Sequence, residues 1–281
     1  MKTLQGSALH SVGTVRNYEQ ALTRVGEWVS ALRLCQGDLR QLTPALALDY
    51  LVQRGKTVGQ KTLDMERQAI QAMMQHVSGQ LESGKTLPVI KSAHAQILRS
   101  RAYTPEQVAL IAGAQSPRHA LATEIAHAAG LRAHELLTLL PREERAPDNR
   151  PADPTKWRGR EGELYTVRGK GGLVREVLLP HALAERLETL RLPEPERLTD
   201  RGIHHLCHYS VGGGQPWSNS FGAAARRVLG WSEGAHGVRH SYAQARIREL
   251  QQAGLLREEA LRTVSQEMGH FRPDITETYL R

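Results

Sequence analysis

Two cysteines, Cys35 and Cys207, are all that the 281 residues contain. A pair so far apart is no disulfide framework, and it points to a reducing compartment, the cytoplasm. No run of about 18 apolar residues occurs, which excludes a membrane-spanning helix. No Lys/Arg-rich amphipathic helix with a Trp/Phe/Leu face stands out either, so a membrane surface is not the expected partner. The opening stretch MKTLQGSALHSVGTVRNYEQ has no apolar segment of the kind a secretory signal needs. Internal repeats and low-complexity tracts are absent as well, which argues against a solenoid or a disordered tail.

What the chain does carry is positive charge. Lys and Arg total 37 against 29 Asp and Glu, a net charge of +8. A basic balance of this size favours a polyanionic partner, nucleic acid before membrane. Hydrophobic residues make up 40% of the chain, enough for ordinary cores, and the length suggests two domains.

Residues 1–85 read as a helical domain. Val15, Tyr18, Leu22, Val25, Trp28, Val29 and Leu32 fall at helical spacing. Thr43 and Pro44 form an N-cap and first helical position for a helix that closes near Gly55. Leu63, Met65, Ile70, Met73 and Met74 mark a third helix. Residues 86–101 read as a basic linker, since Gly84 and Pro88 break the periodicity and Lys and Arg are scattered through this part of the chain. A second domain, 102–281, opens at Thr104-Pro105, with Gln107 completing a capping box. A helix over RHALATEIAHAAG ends at Gly130, and LRAHELLTLL is expected to start another. ELYTVRGKGGLVREVLLP predicts a β-hairpin around GKGG, and after Pro180 the chain is expected to be helical to its end.

Several polar residues stand in this domain where the hydrophobic pattern does not ask for them. Arg132 and Glu135 lie three apart, the spacing of an intrahelical ion pair. His236 and Arg239 repeat that spacing, and together they suit an anionic oxygen, Arg as a planar fork of donors and His as a tunable one. Lys170 sits at the hairpin tip between glycines, where an exposed lysine is ordinarily inert. Gly269-His270 reads as a helix end, and Pro273 begins a short helix that leads to Tyr279. Each taken alone has an ordinary structural reading. GIHHLCHYS would place His204, Cys207 and His208 on one face if helical, but with no distant fourth ligand evident no metal is assigned to them.

The order Arg132, Lys170, His236-x-x-Arg239, Gly269-His270, Tyr279 resembles the tyrosine recombinase (phage integrase) family of site-specific DNA recombinases. GLRAHELLTL looks like its first-arginine box, VRGKGGLVREVLLP its lysine-bearing hairpin, HGVRHSYA its His-x-x-Arg box and MGHFRPDITETYLR its terminal segment. The resemblance extends over nearly the whole chain, less specifically in the N-terminal part, which looks like the family's core-binding domain. It implies a mainly α protein with a small β-sheet, a two-domain clamp on double-stranded DNA. It implies catalysis by Arg132, Lys170, His236, Arg239 and His270, with Tyr279 as nucleophile and Glu135 in support behind Arg132. The reaction would be cleavage and rejoining of DNA through a 3′-phosphotyrosyl link, with no metal, ATP or other cofactor. It also implies specific core sites, a homo-tetramer in the synaptic complex, accessory directionality factors, and a bacterial or phage-type, nucleoid-associated cytoplasmic setting.

Two departures from the family pattern stand out. Gly237 occupies a position where many relatives carry an acidic residue, and little consequence is expected because that side chain is no phosphate ligand. Only Leu280 and Arg281 follow Tyr279, so that either protomers exchange the tyrosine segment itself, or contacts elsewhere hold the assembly, or the chain is truncated. Tyr242 is the rival nucleophile, but on the same helix as Arg239 it would be hard to gate. A type IB topoisomerase-like or relaxase-like nicking enzyme with the same site is the alternative activity, and a catalytically silent DNA-binding relative is the third class.

Overall fold

The computed structural model describes residues 5–6, 9, 12–95, 100–150 and 152–281. The chain divides into two compact units, 1–98 and 99–281. Among the described residues no helix is long and apolar enough to cross a membrane.

The first unit is built on α1 (Val12–Ala31), α2 (Pro44–Gly55) and α3 (Gln60–Met73). Thr43 caps α2, its side chain accepting from the Leu46 N–H, with Pro44 at the first turn where a missing N–H costs nothing. The apolar faces close over Val25, Val29, Leu42, Leu51, Leu63, Ile70 and Met74. One carboxylate lies inside this core. Glu66 is fully buried and accepts from Tyr50 Oη at 3.0 Å, Arg54 Nε at 3.1 Å and Arg24 Nε at 3.0 Å. Within the stretch expected to be linker, residues 87–93 bond along this unit. Leu87 N donates to Gln71 Oε1 and Ala93 N to the Gly55 carbonyl, while the Gln60 amide donates to the Ile90 carbonyl and accepts from the Ser92 N–H. Residues 96–99 of that stretch lie outside the described residues.

The second unit is mainly α with small antiparallel sheets. It opens with α4 (Pro105–Gly113), whose capping box between Thr104 and Gln107 is complete, and α5 (Pro117–Ala129), ended by Gly130 in the left-handed region. The expected helix over 131–140 does not form. Glu135–Thr138 is a single 3₁₀ turn that feeds into β1 (Leu140–Pro141). Two causes act together. The Glu135 carboxylate takes the Arg132 N–H, and Leu136, Leu137, Leu139 and Leu140 are all buried, a pattern with no solvent face for a helix to present.

β2 (Glu163–Arg168) and β3 (Val174–Leu179) form the expected hairpin, with β1 on the outer side of β2. Arg145 fixes the 3₁₀ turn to this sheet, donating to the carbonyls of Thr138 and Thr166. The helical reading after Pro180 holds for α6 (His181–Glu188) and again from Gly214 onward, but it fails in between. β4 (Arg191–Asp200) and β5 (Ile203–Tyr209) then make a second hairpin. Its turn is Arg201-Gly202, both at positive φ (51° and 79°), which matches the twist of paired strands. Pro193 and Pro195 cannot donate to a ladder, and the register slips between Arg191 and Glu196. GIHHLCHYS is therefore strand. Alternation sends His204 and His208 to one side and Cys207 to the other, which removes the helical face that would have grouped them. Both cysteines are free thiols.

The unit is completed by α7 (Gly214–Leu229), α8 (Gly237–Gln252), α9 (Arg257–Glu267) and α10 (Pro273–Glu277). Tyr103, Ile111, Ile125, Val167, Val177, Trp217 and Phe221 belong to its main core, and α8, α9 and the Tyr279 region share a second cluster.

Glu66 generates the first expectation. Glu66→Ala strands the Tyr50 hydroxyl in the core and leaves two half-covered arginines without their acceptor, a loss of about 2–3 kcal/mol. Urea unfolding of the full chain reads this as a lowered midpoint for the first unit, whereas a surface change such as Glu19→Ala leaves it in place.

Candidate active site

Glu135 is the centre of the site. It is fully buried, and three arginines converge on it. Arg132 Nη1 donates to Oε1 at 2.7 Å, Arg175 Nη2 donates to Oε2 at 2.8 Å, and Arg239 Nη1 lies 3.9 Å from Oε2. Burial alone would raise this carboxyl. The charges of Arg175, Arg239 and Arg132 overcome it and hold the group far below the ordinary carboxylate range. Three guanidiniums against one carboxylate leave the cluster with surplus positive charge.

Arg239 is wholly buried on the first turn of α8. It donates to the Gly130 carbonyl, to the Met268 carbonyl at 2.5 Å and to His270 Nε2 at 2.8 Å. Burial, and next the charge of Arg132, push it down to about 10, so it stays a cation at neutral pH. Arg239 can only donate, which makes His270 Nε2 the lone-pair nitrogen. The ring proton then sits on Nδ1, 2.9 Å from Thr276 Oγ1. Burial and the charges of Arg239, Arg132 and Arg175 push His270 down to about 3.

Tyr279 follows α10 and is 8% exposed. Its ring stacks on His270 with centroids 5.1 Å apart, and lies 4.7 Å from the His240 ring and 5.5 Å from that of His236. The Arg239 guanidinium carbon is 5.5 Å from the same ring. Although its outer edge is open to solvent, His236 is also pushed well below the ordinary imidazole value, first by desolvation of its packed side and then by Arg239, His240, Arg101 and Arg132. What holds Tyr279 in place is Gln244 on α8, whose side-chain amide donates to the Tyr279 carbonyl at 3.2 Å and to the Arg281 carbonyl at 2.9 Å. An exposed ion pair between Arg257 and Glu277, at 2.7 Å, fastens α10 to α9.

Lys170 is exposed at the tip of the β2–β3 hairpin. It shares the lining of one open groove of about 530 Å³ with Gly269, His270, Phe271 and Arg272, so the hairpin tip faces the start of the tyrosine segment. The structure thus brings Arg132, Glu135, His236, Arg239, His270 and Tyr279 into one cluster and sets Lys170 on its rim.

The same chain of elements occurs in solved DNA-bound proteins. Lambda integrase (a dimer bound to a COC′ core site) aligns with a TM-score of 0.59 at 16% identity, over 100% of this chain and 92% of that one. The XerH site-specific recombinase on palindromic difH substrate gives 0.58 at 15% identity, over 93% of this chain and 73% of that one. The Tn1549 transposon integrase with transposon right end DNA gives 0.56 at 14%, over 100% and 92%. The chain has the tyrosine recombinase fold. No protein-family model matches the sequence, and no curated protein matches it.

Within the recombinase fold, Tyr242 is a core residue. Its hydroxyl donates to Glu267 Oε2 at 2.8 Å, the Arg160 guanidinium covers its ring at 5.0 Å, and burial raises it well above the ordinary phenol value. Gly237 has a steric reason for being glycine. A Cβ there would stand 2.4 Å from the Arg101 carbonyl oxygen and 2.4 Å from the Tyr103 ring, on a segment tied to α8 by the Ser241 hydroxyl, which accepts from the Tyr103 N–H and donates to the Tyr103 carbonyl. Arg175, Glu267 and Thr276 are site neighbours that the motif reading did not single out, and His240 of the His-x-x-Arg stretch is one to which it gave no role. Arg175 did leave a signal: on a strand of period 2 it shares the inward face with Val177 and Leu179.

A neutral, partly buried His270 makes stability depend on pH. The unfolded imidazole titrates near 6.5 and the folded one near 3. The unfolded chain therefore binds more protons below about 6.5, and the stabilisation present above that pH is lost as pH falls. His270→Asn puts a polar amide that does not titrate in its place. Melting temperatures measured between pH 6.5 and 4.5, above the main carboxylate range, fall less steeply in His270→Asn than in the wild type.

Proposed function

We propose that the protein is a site-specific DNA recombinase or integrase that cleaves and rejoins strands through a 3′-phosphotyrosyl intermediate. The observation that carries this reading is a tyrosine ring packed on three histidines beside a buried arginine cluster with surplus positive charge. Such a site is preorganised for an anion that develops further charge, as a phosphodiester does on becoming pentacoordinate. The DNA-bound complexes of similar fold support double-stranded DNA as the partner, and the core-site dimer supports action by several protomers. A homo-tetramer on two sites is the assembly this reading implies.

The chemistry follows from the side chains. Tyr279 Oη attacks phosphorus, the P–Oη bond forms, and the bond to the 5′-oxygen breaks. Arg132 and Arg239 supply planar donors to the non-bridging oxygens. The phenol proton needs an acceptor, because a free tyrosine is mostly protonated at neutral pH. His270 already accepts from Arg239, whereas His236 is neutral, solvent-edged and next to the ring, so His236 takes the proton. Lys170, exposed at a glycine-flanked tip, protonates the leaving 5′-oxygen. Attack by a 5′-hydroxyl of another strand reverses every step. Bond energy stays in the phosphotyrosyl link, so no ATP is consumed, and the arginines do the charge stabilisation a metal would otherwise provide.

The test begins with a library of nicked duplexes of randomised centre. The full chain captures a subset covalently in detergent, and the captured DNA defines the site. Tyr279→Phe abolishes capture, while capture by that variant would sink the assignment. On supercoiled plasmids, exchange confined to pairs of captured sites is expected. Relaxation of plasmids that carry one site or none would instead identify a topoisomerase-like or nicking enzyme.

Lys170→Ala slows cleavage roughly 10²–10⁴-fold. A duplex whose 5′-bridging oxygen at the cleavage site is replaced by sulfur needs no general acid, and restores most of the rate. Equal loss on both substrates would remove Lys170 from that role.

A further inference from the structure

We infer that Arg175 is a positioning residue that locks the Lys170 hairpin to the root of the tyrosine segment, so that general acid and nucleophile are placed as one unit. This inference rests on the strand-cleavage reading for its catalytic consequence, but its structural content stands on the fold alone.

Arg175 lies on β3, five residues after Lys170, and its side chain is 3% exposed. One end of its guanidinium donates to Glu135 Oε2 at 2.8 Å and the other to the Glu267 carbonyl at 2.6 Å. That carbonyl belongs to the last residue of α9, two positions before Gly269. A single planar group therefore joins three pieces of chain that are distant in sequence: the lysine hairpin, the Glu135 turn and the Gly269-His270 turn. Lysine, with one compact ammonium, cannot span both acceptors.

A second observation comes from Gly269, at φ +71°. A Cβ on it would stand 2.5 Å from Arg175 Cδ and 3.0 Å from its Nε. The turn that delivers His270 and Tyr279 thus rides directly on the Arg175 side chain. A third is the groove in which Lys170, Gly171 and Gly172 face Gly269, His270 and Phe271. Arg175 forms the link between those two walls. A hairpin shift that moves Lys170 also drags the carbonyl at the end of α9, and with it the start of the tether that carries Tyr279.

Two variants test this. Arg175→Met keeps the length of the apolar stem and removes both bonds, while Arg175→Lys keeps the buried charge and one bond and serves as the readable variant where Arg175→Met melts. Hydrogen exchange in the absence of DNA is the first measurement. The Gly269 and His270 amides, bonded to Gln266 and Ser265 carbonyls, exchange faster in both variants, most in Arg175→Met, while the amides of Trp217 and Phe221 on α7 keep their wild-type rates. Single-turnover cleavage of the captured nicked duplex is the second. At saturating duplex the rate falls roughly 10–100-fold in Arg175→Met, with the duplex bound as tightly as by wild type, and Arg175→Lys lies between. The 5′-bridging sulfur duplex recovers part of that loss, because it no longer needs Lys170 in register. Unchanged exchange at Gly269 and His270 in both variants overturns the coupling, as does a wild-type cleavage rate at saturating duplex. A wild-type chain that captures no DNA at all defeats the strand-cleavage reading, and the exchange result still decides whether Arg175 couples the two segments.

Discussion

A single carboxylate, Glu135, sets the geometry of the second unit around its site. It is removed from water completely, which is affordable only because Arg132, Arg175 and Arg239 surround it. Those three arginines come from a loop, a strand and a helix, so satisfying one charge fixes the relative placement of three elements. A hydrophobic replacement could fill the same volume without specifying any direction. The charged solution costs desolvation and returns geometry. It also leaves more guanidinium than carboxylate at the centre of the fold, an imbalance that an incoming anion corrects.

A second buried carboxylate repeats the device one layer behind. Glu267 accepts from the Tyr242 hydroxyl and from Arg246 Nε and Nη2, while its Oε1 also takes the Trp157 N–H. It ties α8, α9 and the 153–157 loop together and keeps Tyr242 in the core. The two carboxylates meet through Arg175, which bonds the side chain of one and the backbone of the other. His236 and His270 complement this scaffold by staying neutral. Packed against Tyr279 among arginines, they add lone pairs and ring contacts without adding charge, so acceptors for a proton coexist with donors for a phosphate.

Local signals in the sequence were the legible ones. Thr104-Pro105-Gln107, Thr43-Pro44, Gly130 and the GKGG turn each act within a few residues, and each element formed where that chemistry put it. The order of the polar residues pointed to the family resemblance, and the fold places five of them in one cluster with Glu135 and sets Lys170 on its rim. What escaped depended on partners far along the chain. The 191–209 hairpin carries prolines and histidines in place of the usual β-formers, and its turn signal is one glycine. LRAHELLTLL has helical composition but no solvent face. Arg175 reads as one more basic residue until the hairpin's alternation turns it inward, where Glu135 and Glu267 wait from 40 and 92 residues away. Gly237 is explained only by a segment that crosses it from residues 101–103.

The tyrosine segment is fastened unevenly. Its root at Gly269 is pressed against a buried arginine, whereas its tip, besides the packing of the Tyr279 ring and the Thr276–His270 bond, is held by one glutamine amide and a solvent-exposed ion pair. Contacts of the second kind are among the weakest in a folded protein and open far more readily than the core beneath them. The polar ties at the tip would therefore part before the Gly269 root. A release that stopped at that root would swing Tyr279 about a fixed point and bring the phenol back to the same place.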